Sequence, residues 1–371
     1  MADYEYFWDF IYNDYPFTEV CERKGADLQK IKEEGAKKLL LKFYTVDNYY
    51  NFYLNLCSRI TSFAYTGHLY PIEYTEYNYL FKNDAYYHKF YDMGLIDSFY
   101  KTKLKNISAY PPQQAGKLGY GGDVKAETSI LEPGKIAYVR IDSFWIEQFS
   151  DSYERYKKDM KKFFLDTADY KHIIIDVSQN GGGFRRCYKD DIIAYHIKNT
   201  LEYKNYRLYS ENWYTDLYTA RGKNVVDIKE VPNVKNAGTQ RHTKALCETF
   251  SINPDRLDRE YTPAKDRKFW VLISGQTASA ADSFAGFCKG TGFATVVGEN
   301  SGGLGHNRLD SSSYAMLPKS GLLIRFDSLY GLNSEGYCVD EVGTAPDIYN
   351  LPGKDALETC LEEIKKLDGG K

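Results

Sequence analysis

The stretch KFWVLISGQTASAADSFAGFCKG, residues 268–290, contains a strand signal followed directly by a helix signal. Its apolar run, Phe269–Ser274, is typical of a strand that is buried on both faces. Beyond the small residues that follow, apolar side chains recur at helical spacing, which predicts a helix beginning near Ser279. At a helix N-terminus, free amides and the helix dipole favour developing negative charge. Ser279 is therefore either a nucleophile or an ordinary helix N-cap.

Further strand signals surround this stretch, and a polar-faced helix signal, residues 151–170, lies between two of them. The strand signals are KIAYVRIDSF (135–144), HIIIDV (172–177), ATVVGE (294–299) and GLLIRF (321–326). Alternation of strands with helices is typical of an α/β fold with a largely parallel sheet.

The part of the chain before residue 134 has a different pattern. Asp27 and Val46 begin segments with apolar residues on one side, which predicts two helices. The region from about Tyr70 to Gly134 is rich in proline and glycine, which is typical of loops. The predicted division is an N-terminal helical lobe at 1–75, a connecting segment at 76–133 and an α/β domain at 134–371 with an insertion or lid at 184–267.

Composition excludes several classes of protein. The chain has 371 residues, is 43% hydrophobic and has a formal net charge of −3, so no basic footprint for nucleic acid is present. No run reaches the roughly 18 apolar residues of a membrane-spanning helix. Met1 is not followed by a signal peptide pattern. The seven cysteines are scattered without a C-x-x-C pair, so neither a zinc site nor a disulfide framework is indicated.

A run of three glycines, Gly181–Gly183, follows the predicted strand at 172–177 almost directly. Glycines at such a position can expose backbone N–H groups, which an oxyanion site requires. The same run is also compatible with a flexible turn.

Several motifs, taken in order, resemble the tail-specific or C-terminal processing serine peptidases. The matching pieces are YVRIDSF, IIIDVSQNGGG, VLISGQTASAADSFAG, VVGENSGG and VDEVGTAPDI, with NDYPF and TGHLYPI near the start resembling the tricorn-like branch. The resemblance implies a crotonase-like (spiral ββα) catalytic core with an N-terminal helical lobe. About 65 residues separate the TGHLYPI motif from the core, too few for the PDZ domain that many relatives carry.

The resemblance assigns Ser279 as nucleophile. It implies an oxyanion hole made by the amide of Ala280 and an amide of the glycine run, at Gly182 or Gly183. One branch of the family pairs the serine with a lysine, but Leu304 occupies that position here. Leucine cannot accept a proton, so a Ser–Lys dyad is excluded at this site.

The other branch of the family uses a histidine and an acid, since a serine hydroxyl needs a base to become a good nucleophile. His68 matches the family's histidine motif. His306, two positions beyond the missing lysine, is the competing base. The acid position corresponds to Asp340, with its neighbour Glu341 as the alternative.

The resemblance implies a serine peptidase that hydrolyses peptide bonds of proteins or peptides and needs no metal or cofactor. The alternative is an inactive homologue that binds peptides or small ligands. The family is mostly extracytoplasmic in bacteria, so that location is expected, although the cysteine content also fits a reducing compartment.

Overall fold

The computed structural model describes residues 1–39, 45–62, 66–82, 87–104, 126–146, 150–219, 224–237, 242–255, 263–305 and 312–369. The α-helices of these residues are α1 (Ala2–Asn13), α2 (Thr18–Arg23), α3 (Leu28–Leu39), α4 (Val46–Ile60), α5 (Tyr74–Glu76), α6 (Met93–Asp97), α7 (Asp151–Asp166), α8 (Arg186–Tyr188), α9 (Trp213–Thr219), α10 (Ala280–Thr291), α11 (Val339–Val342) and α12 (Ala356–Gly369). The strands are β1 (Tyr70–Pro71), β2 (Ala126–Glu132), β3 (Ile136–Ile141), β4 (His172–Asp176), β5 (Leu201–Tyr209), β6 (Val225–Asp227), β7 (Lys244–Ile252), β8 (Lys268–Ile273), β9 (Ala294–Gly298), β10 (Ser312–Met316), β11 (Leu323–Asp327), β12 (Tyr330–Gly331) and β13 (Ile348–Tyr349). Short 3₁₀ or π turns lie at Thr66–His68, Tyr77–Phe81, Tyr87–Lys89, Ser98–Leu104, Lys189–Ile193, Ala194–His196 and Ile228–Glu230.

A six-stranded mixed sheet forms the centre of the α/β part, in the order β13-β9-β8-β4-β3-β2. Its neighbours pair in parallel except β2, which runs antiparallel at the edge. Four of the predicted strands are confirmed here as β3, β4, β8 and β9, and the predicted helix at 151–170 is confirmed as α7. The α/β class predicted from strand and helix alternation is therefore confirmed.

Apolar clusters cover both faces of the central sheet. Alternate residues of each strand point to opposite faces, so one strand contributes to both clusters. Ile173 and Ile175 of β4 pack in one apolar cluster with residues of α7 and α10. Ile174, between them, packs on the other face with Ile364 of α12. Burial on both faces explains why these strands are continuous apolar runs rather than alternating ones.

Two smaller antiparallel sheets lie outside the central one. The segment predicted as an insertion or lid supplies β5, β6 and β7 of a sheet ordered β12-β5-β7-β6. The GLLIRF motif forms a strand, as predicted, but β11 belongs to a three-stranded sheet, β1-β11-β10, and not to the parallel one. The reason is its partner, since β11 pairs with β1, which begins two residues after His68.

The N-terminal helices form where the sequence predicts them. Asp27 precedes α3, and its side chain accepts from the amide of Lys30 at 2.9 Å; Thr45 caps α4 by accepting from Asn48 at 3.2 Å. Such caps satisfy amides that a helix N-terminus leaves free. The largest apolar cluster combines these helices with residues of the two antiparallel sheets, for example Phe10 with Phe326, whose rings lie 4.6 Å apart. This packing joins the N-terminal helices to β11.

Candidate active site

Ser279 lies between β8 and α10, at the N-cap of the helix, with φ 53° and ψ −118°. A non-glycine residue at such a φ is uncommon and is found most often where a site requires it. Its side chain makes no capping hydrogen bond, so it does not act as an ordinary N-cap. Its amide donates to the carbonyl of Gly303 at 2.8 Å, which leaves the half-buried hydroxyl outside the helix's own bonding.

The glycine run packs directly against Ser279. The two segments follow β4 and β8, which pair in parallel, so both leave the same edge of the sheet. A Cβ added to Gly182 would lie 2.6 Å from Ser279 Cβ and 3.0 Å from the nitrogen of Ala280. Only glycine permits this approach at the observed φ of 110°. We call Gly181–Gly183, Ser279–Ala280 and Gly303 the nucleophile half.

The amides of this half differ in their use. The amide of Gly182 donates to Oδ1 of Asn180 at 2.9 Å and is therefore occupied. The amides of Gly183 and Ala280 donate to no acceptor within the described ranges of the chain. Of the three amides predicted as oxyanion donors, those of Gly183 and Ala280 therefore remain available, whereas that of Gly182 is occupied.

The buried side chain of Asp282 holds the loop that carries Leu304. Oδ1 of Asp282 accepts from the hydroxyl of Ser301, and Oδ2 accepts from the amide of Gly305 at 2.8 Å. Burial raises the pKa of Asp282, and these donors oppose that shift. Leu304 has φ 69° and is 9% exposed. The loop thus supports Ser279 through the carbonyl of Gly303.

His68 lies in a tight turn, Thr66–His68, in which both Gly67 and His68 have positive φ. Its Nδ1–H donates to Oδ2 of Asp327 at 2.6 Å; an ionised carboxylate only accepts, so this nitrogen carries the proton. The Asp327 side chain is 1% exposed and that of His68 is 22% exposed. Nε2 of His68 makes no hydrogen bond within the described residues.

The predicted acids make other contacts. Oδ2 of Asp340 accepts from the amide of Gly67 at 2.7 Å, and Lys24 donates to the carbonyl of Asp340. Glu341 forms a bidentate pair with Arg23 of α2, with both N–O distances 2.7 Å. The acid that is hydrogen-bonded to His68 is thus Asp327. Asp340 is hydrogen-bonded instead to the backbone amide of the neighbouring Gly67.

Burial and, to a smaller extent, the charge of Asp327 raise the pKa of Asp340 to about 6, against the opposing effects of the Gly67 amide and His68. The second oxygen of Asp327, Oδ1, is buried without a hydrogen-bond partner among the described residues. The histidine half, which we define as Thr66–His68 with Asp327 and Asp340, therefore contains two buried acids, one hydrogen-bonded to the imidazole and one to the backbone beside it.

The two halves meet at Gly303. A Cβ added to this glycine would lie 2.3 Å from the carbonyl oxygen of Val339 and 3.3 Å from Asp340 Cα. The same residue accepts from the amide of Ser279. A chain of direct contacts therefore runs from Ser279 to the turn of His68. No hydrogen bond joins the side chains of Ser279 and His68, both of which the structure describes.

Sequence reasoning missed Asp327, although a signal for it exists. It directly follows the predicted strand at 321–326, and β1 begins two residues after His68. In the β1–β11 ladder Tyr70 pairs with Arg325, so two further steps of antiparallel register bring His68 opposite Asp327. The competing base, His306, lies outside the described residues.

Two negative findings apply to the described ranges alone. In those ranges, no helix is both long enough and apolar enough to cross a membrane. They also contain no group of three or more histidine, cysteine, aspartate or glutamate side chains arranged to hold a metal ion.

Comparison with known proteins identifies the family of the chain. The family model of peptidase family S41 matches residues 135–350. A crystal structure of a candidate peptidase from Parabacteroides merdae ATCC 43184 is similar in fold, with a TM-score of 0.55, 16% identity and coverage of 98% of this chain and 96% of that one. A lipoprotein from Streptococcus agalactiae has a TM-score of 0.51, 15% identity and coverage of 99% and 97%. The chain belongs to peptidase family S41, the tail-specific or C-terminal processing peptidases, whose members are serine hydrolases.

Proposed function

We propose that this chain is an active serine peptidase in which Ser279 is the nucleophile, His68 the general base and Asp327 the acid that orients the base. The observation that carries the proposal is the Nδ1–Asp327 hydrogen bond of 2.6 Å, which leaves Nε2 as the proton-accepting nitrogen. The available amides of Gly183 and Ala280 beside Ser279 supply the proposed oxyanion hole. The substrate is a protein or peptide.

In the proposed reaction, Oγ of Ser279 attacks the peptide carbonyl carbon while Nε2 of His68 accepts the hydroxyl proton. The carbonyl oxygen becomes an oxyanion that the amides of Gly183 and Ala280 bind. When the C–N bond breaks, His68 returns its proton to the departing amine. Water then attacks the acyl–serine ester while His68 takes a proton from it; as the ester C–O bond breaks, His68 donates that proton to Oγ of Ser279, and the acid product leaves and ionises.

The two buried acids have separate roles in this proposal. Asp327 fixes the tautomer of His68 and stabilises imidazolium, because its Oδ2 lies on Nδ1 and its Oδ1 has no other partner in the described chain. Asp340 positions His68 indirectly by holding the amide of Gly67. Glu341 pairs with Arg23 of α2, and we therefore assign it to supporting the N-terminal helices and not to the triad.

We further propose that the central sheet with α7 and α10 is a crotonase-like spiral, and that the chain belongs to the tricorn-like branch without a PDZ domain. The absence of a lysine at Leu304, together with the histidine-bearing turn, supports that branch. We also propose an extracytoplasmic location in a bacterium. The lipoprotein of similar fold from Streptococcus agalactiae supports it, and fractionation of cells that express the full-length gene would test it.

A second candidate function is binding of peptides or small ligands without cleavage. It is favoured by one observation, that Ser279 and His68 are not hydrogen-bonded to each other. Catalytic hydrogen bonds are often formed only in the substrate complex, so this observation alone does not decide between the two functions.

A fluorophosphonate probe followed by peptide mapping distinguishes them. An activated serine is expected to be labelled at Ser279, and His68→Gln should abolish that labelling while the thermal unfolding profile stays that of a folded protein. Labelling at another serine would refute the triad, and no labelling of the folded parent would favour the binding protein.

A further inference from the structure

The loop that supports Ser279 and the loop that follows α11 are joined through one buried hydroxyl, that of Ser301, which is 7% exposed. This hydroxyl donates to Oδ1 of Asp282. Its oxygen accepts from the amide of Thr344 at 2.7 Å and, more weakly, from the amide of Gly303 at 3.4 Å. A serine hydroxyl has one donor and two acceptor positions, so these three bonds use its full capacity.

The two amides that meet at this hydroxyl support different halves of the site. Gly303 belongs to the nucleophile half, where its carbonyl accepts from the amide of Ser279 at 2.8 Å. Thr344 lies two residues after α11, the helix that carries Asp340, and the side chain of Asp340 holds the turn of the histidine half. Ser301 is therefore bonded on one side to the support of the nucleophile and on the other to the support of the histidine.

The two loops are also closely packed at this point. A Cβ added to Gly343 would lie 2.5 Å from Oγ of Ser301 and 2.1 Å from its carbonyl oxygen. The amide of Gly343 donates in turn to the carbonyl of Val339 at 2.9 Å, at the start of α11. Because close-packed groups transmit strain, a displacement at Ser301 is passed on to α11.

Asp282 determines the direction of the Ser301 hydroxyl. Asp282 is 1% exposed, and its two carboxylate oxygens accept from Ser301 and from the amide of Gly305 at 2.8 Å. Since the hydroxyl hydrogen points at the carboxylate, the lone pairs of Oγ face the two amides. Asparagine at this position would present one acceptor oxygen where the carboxylate presents two.

We infer that Ser301 is a positioning residue that sets how Ser279 and His68 lie relative to each other. It acts through Gly303 on one side and through α11 on the other, and not on the substrate directly. This inference rests on the proposed peptidase function and adds a residue to its machinery. Transfer of a proton from the nucleophile to the base depends steeply on geometry, since a misplacement of about 1 Å can lower the rate on the order of a hundredfold.

Ser301→Thr and Ser301→Val form a matched pair, because the two side chains have nearly the same shape and differ in the hydroxyl. The substrate is a quenched-fluorescence peptide, chosen from a random octapeptide library because the full-length parent cleaves it. Ser301→Val should have a kcat at least about tenfold below that of Ser301→Thr, since two amides lose their acceptor and the loops shift. KM should agree within about twofold. The backbone bond from the amide of Ser301 to the carbonyl of Thr344, 3.0 Å, is kept in both variants, so both should fold.

The pH profile of fluorophosphonate labelling at Ser279 gives a readout that a loss of stability would not move. The labelling rate should fall with kcat in Ser301→Val. The pH midpoint of labelling should stay that of the parent, because the hydrogen bond between His68 and Asp327 does not involve Ser301. A lower rate with an unchanged midpoint indicates a displaced base rather than an altered one.

Asp282→Asn tests the direction of the hydroxyl. It should lower kcat at least about tenfold, since asparagine cannot accept from both Ser301 and Gly305. Combined with Ser301→Val, it should lower kcat little further than the more affected single variant, because both changes break the same hydrogen-bond network. Losses that multiply in the double variant would show that the two residues act separately and would overturn the inference.

The control is Thr359→Val on α12, which removes a fully buried hydroxyl that likewise accepts from a loop amide, that of Leu351 at 3.0 Å. It should lower the thermal unfolding midpoint and keep the parental kcat, with all rates measured well below the unfolding transition. Equal kcat in Ser301→Val and Ser301→Thr, a change confined to KM, a shifted labelling midpoint, or an equal loss of kcat in Thr359→Val would overturn the inference alone. A folded parent that is neither labelled nor able to cleave any peptide would overturn the proposed function and this inference with it.

Discussion

The nucleophile half and the histidine half of the site are held in place by different means. The nucleophile half is made mainly of backbone, at loops that leave neighbouring parallel strands of one sheet. The histidine half is made of side chains from remote parts of the chain: His68 and Asp327 are 259 residues apart, and Gly67 and Asp340 are 273 apart. Short local motifs can therefore encode each segment of the first half, whereas the second depends on how the N-terminal helices pack.

The difference predicts different sensitivities. The nucleophile half should respond to changes of shape, because its glycines allow contacts closer than any Cβ permits. The histidine half should respond to changes of charge, because it places two buried carboxylates around one imidazole. The following substitutions test that contrast.

The largest effect is expected for Ser279→Ala in the nucleophile half. Loss of the nucleophile should lower peptide cleavage at least about a thousandfold, while circular dichroism and thermal unfolding remain those of the parent. Ser129→Ala, at an exposed position of the edge strand β2, is the matched control and should cleave at the parental rate. A Ser279→Ala variant that cleaves as fast as the parent would contradict the proposed function.

Asp327→Asn should produce the next largest effect, in the histidine half. An amide opposite Nδ1 no longer favours the tautomer with a free Nε2, so kcat should fall about a hundredfold or more. Glu341→Gln, which alters the pair with Arg23, should change kcat much less. The pH dependence of kcat should also change in Asp327→Asn. The reverse order of effects would return Glu341 to the triad.

Gly182→Ala tests shape in the nucleophile half. The new Cβ would lie 2.6 Å from Ser279 Cβ, so Ser279 must move, and cleavage should fall about tenfold or more with a loss of about 1–3 kcal/mol in the free energy of unfolding. Gly292→Ala is the control, since Gly292 has φ 69° with no atom within 4 Å of the added Cβ. It should lose about 1 kcal/mol of stability through backbone strain alone and keep full activity. Equal activity losses in both would refute the close-packing argument.

Asp340→Asn should have the smallest effect, on the pH dependence of stability. The pKa of Asp340 in the folded chain is about 6, above its ordinary 3.8, so folding disfavours the ionised form. The parent should therefore lose up to about 3 kcal/mol of stability as the pH rises from about 4 to about 7. Asparagine retains an acceptor for the amide of Gly67 and has no charge to bury, so this decline should disappear.

Denaturant unfolding at several pH values between 4.5 and 7.5 measures the slope. Glu202→Gln removes an exposed carboxylate of β5 and should leave the parental slope unchanged. A slope in Asp340→Asn as steep as in the parent would show that Asp340 does not carry this pH dependence.

Much of the fold could be predicted from the sequence, because local pattern and burial agree there. The run Ile173–Ile175 is continuously apolar since its strand is buried on both faces. The exposed face of α7 is recognisable in the sequence by its charged residues. The pairing of β11 could not be predicted in the same way. An apolar run indicates a strand, but it does not say which neighbour that strand will have.

For the candidate site, the residues of the nucleophile half could be proposed from the sequence. Ser279 and the glycine run each directly follow a buried strand of a largely parallel sheet, and strands of such a sheet end at the same edge; that β4 and β8 are direct neighbours is a tertiary feature. Tertiary structure decided which amide is available, because Asn180 occupies that of Gly182. It also decided which acid meets His68. Asp327 reaches the imidazole through the β1–β11 register, a pairing between residues far apart in the chain that no local pattern encodes.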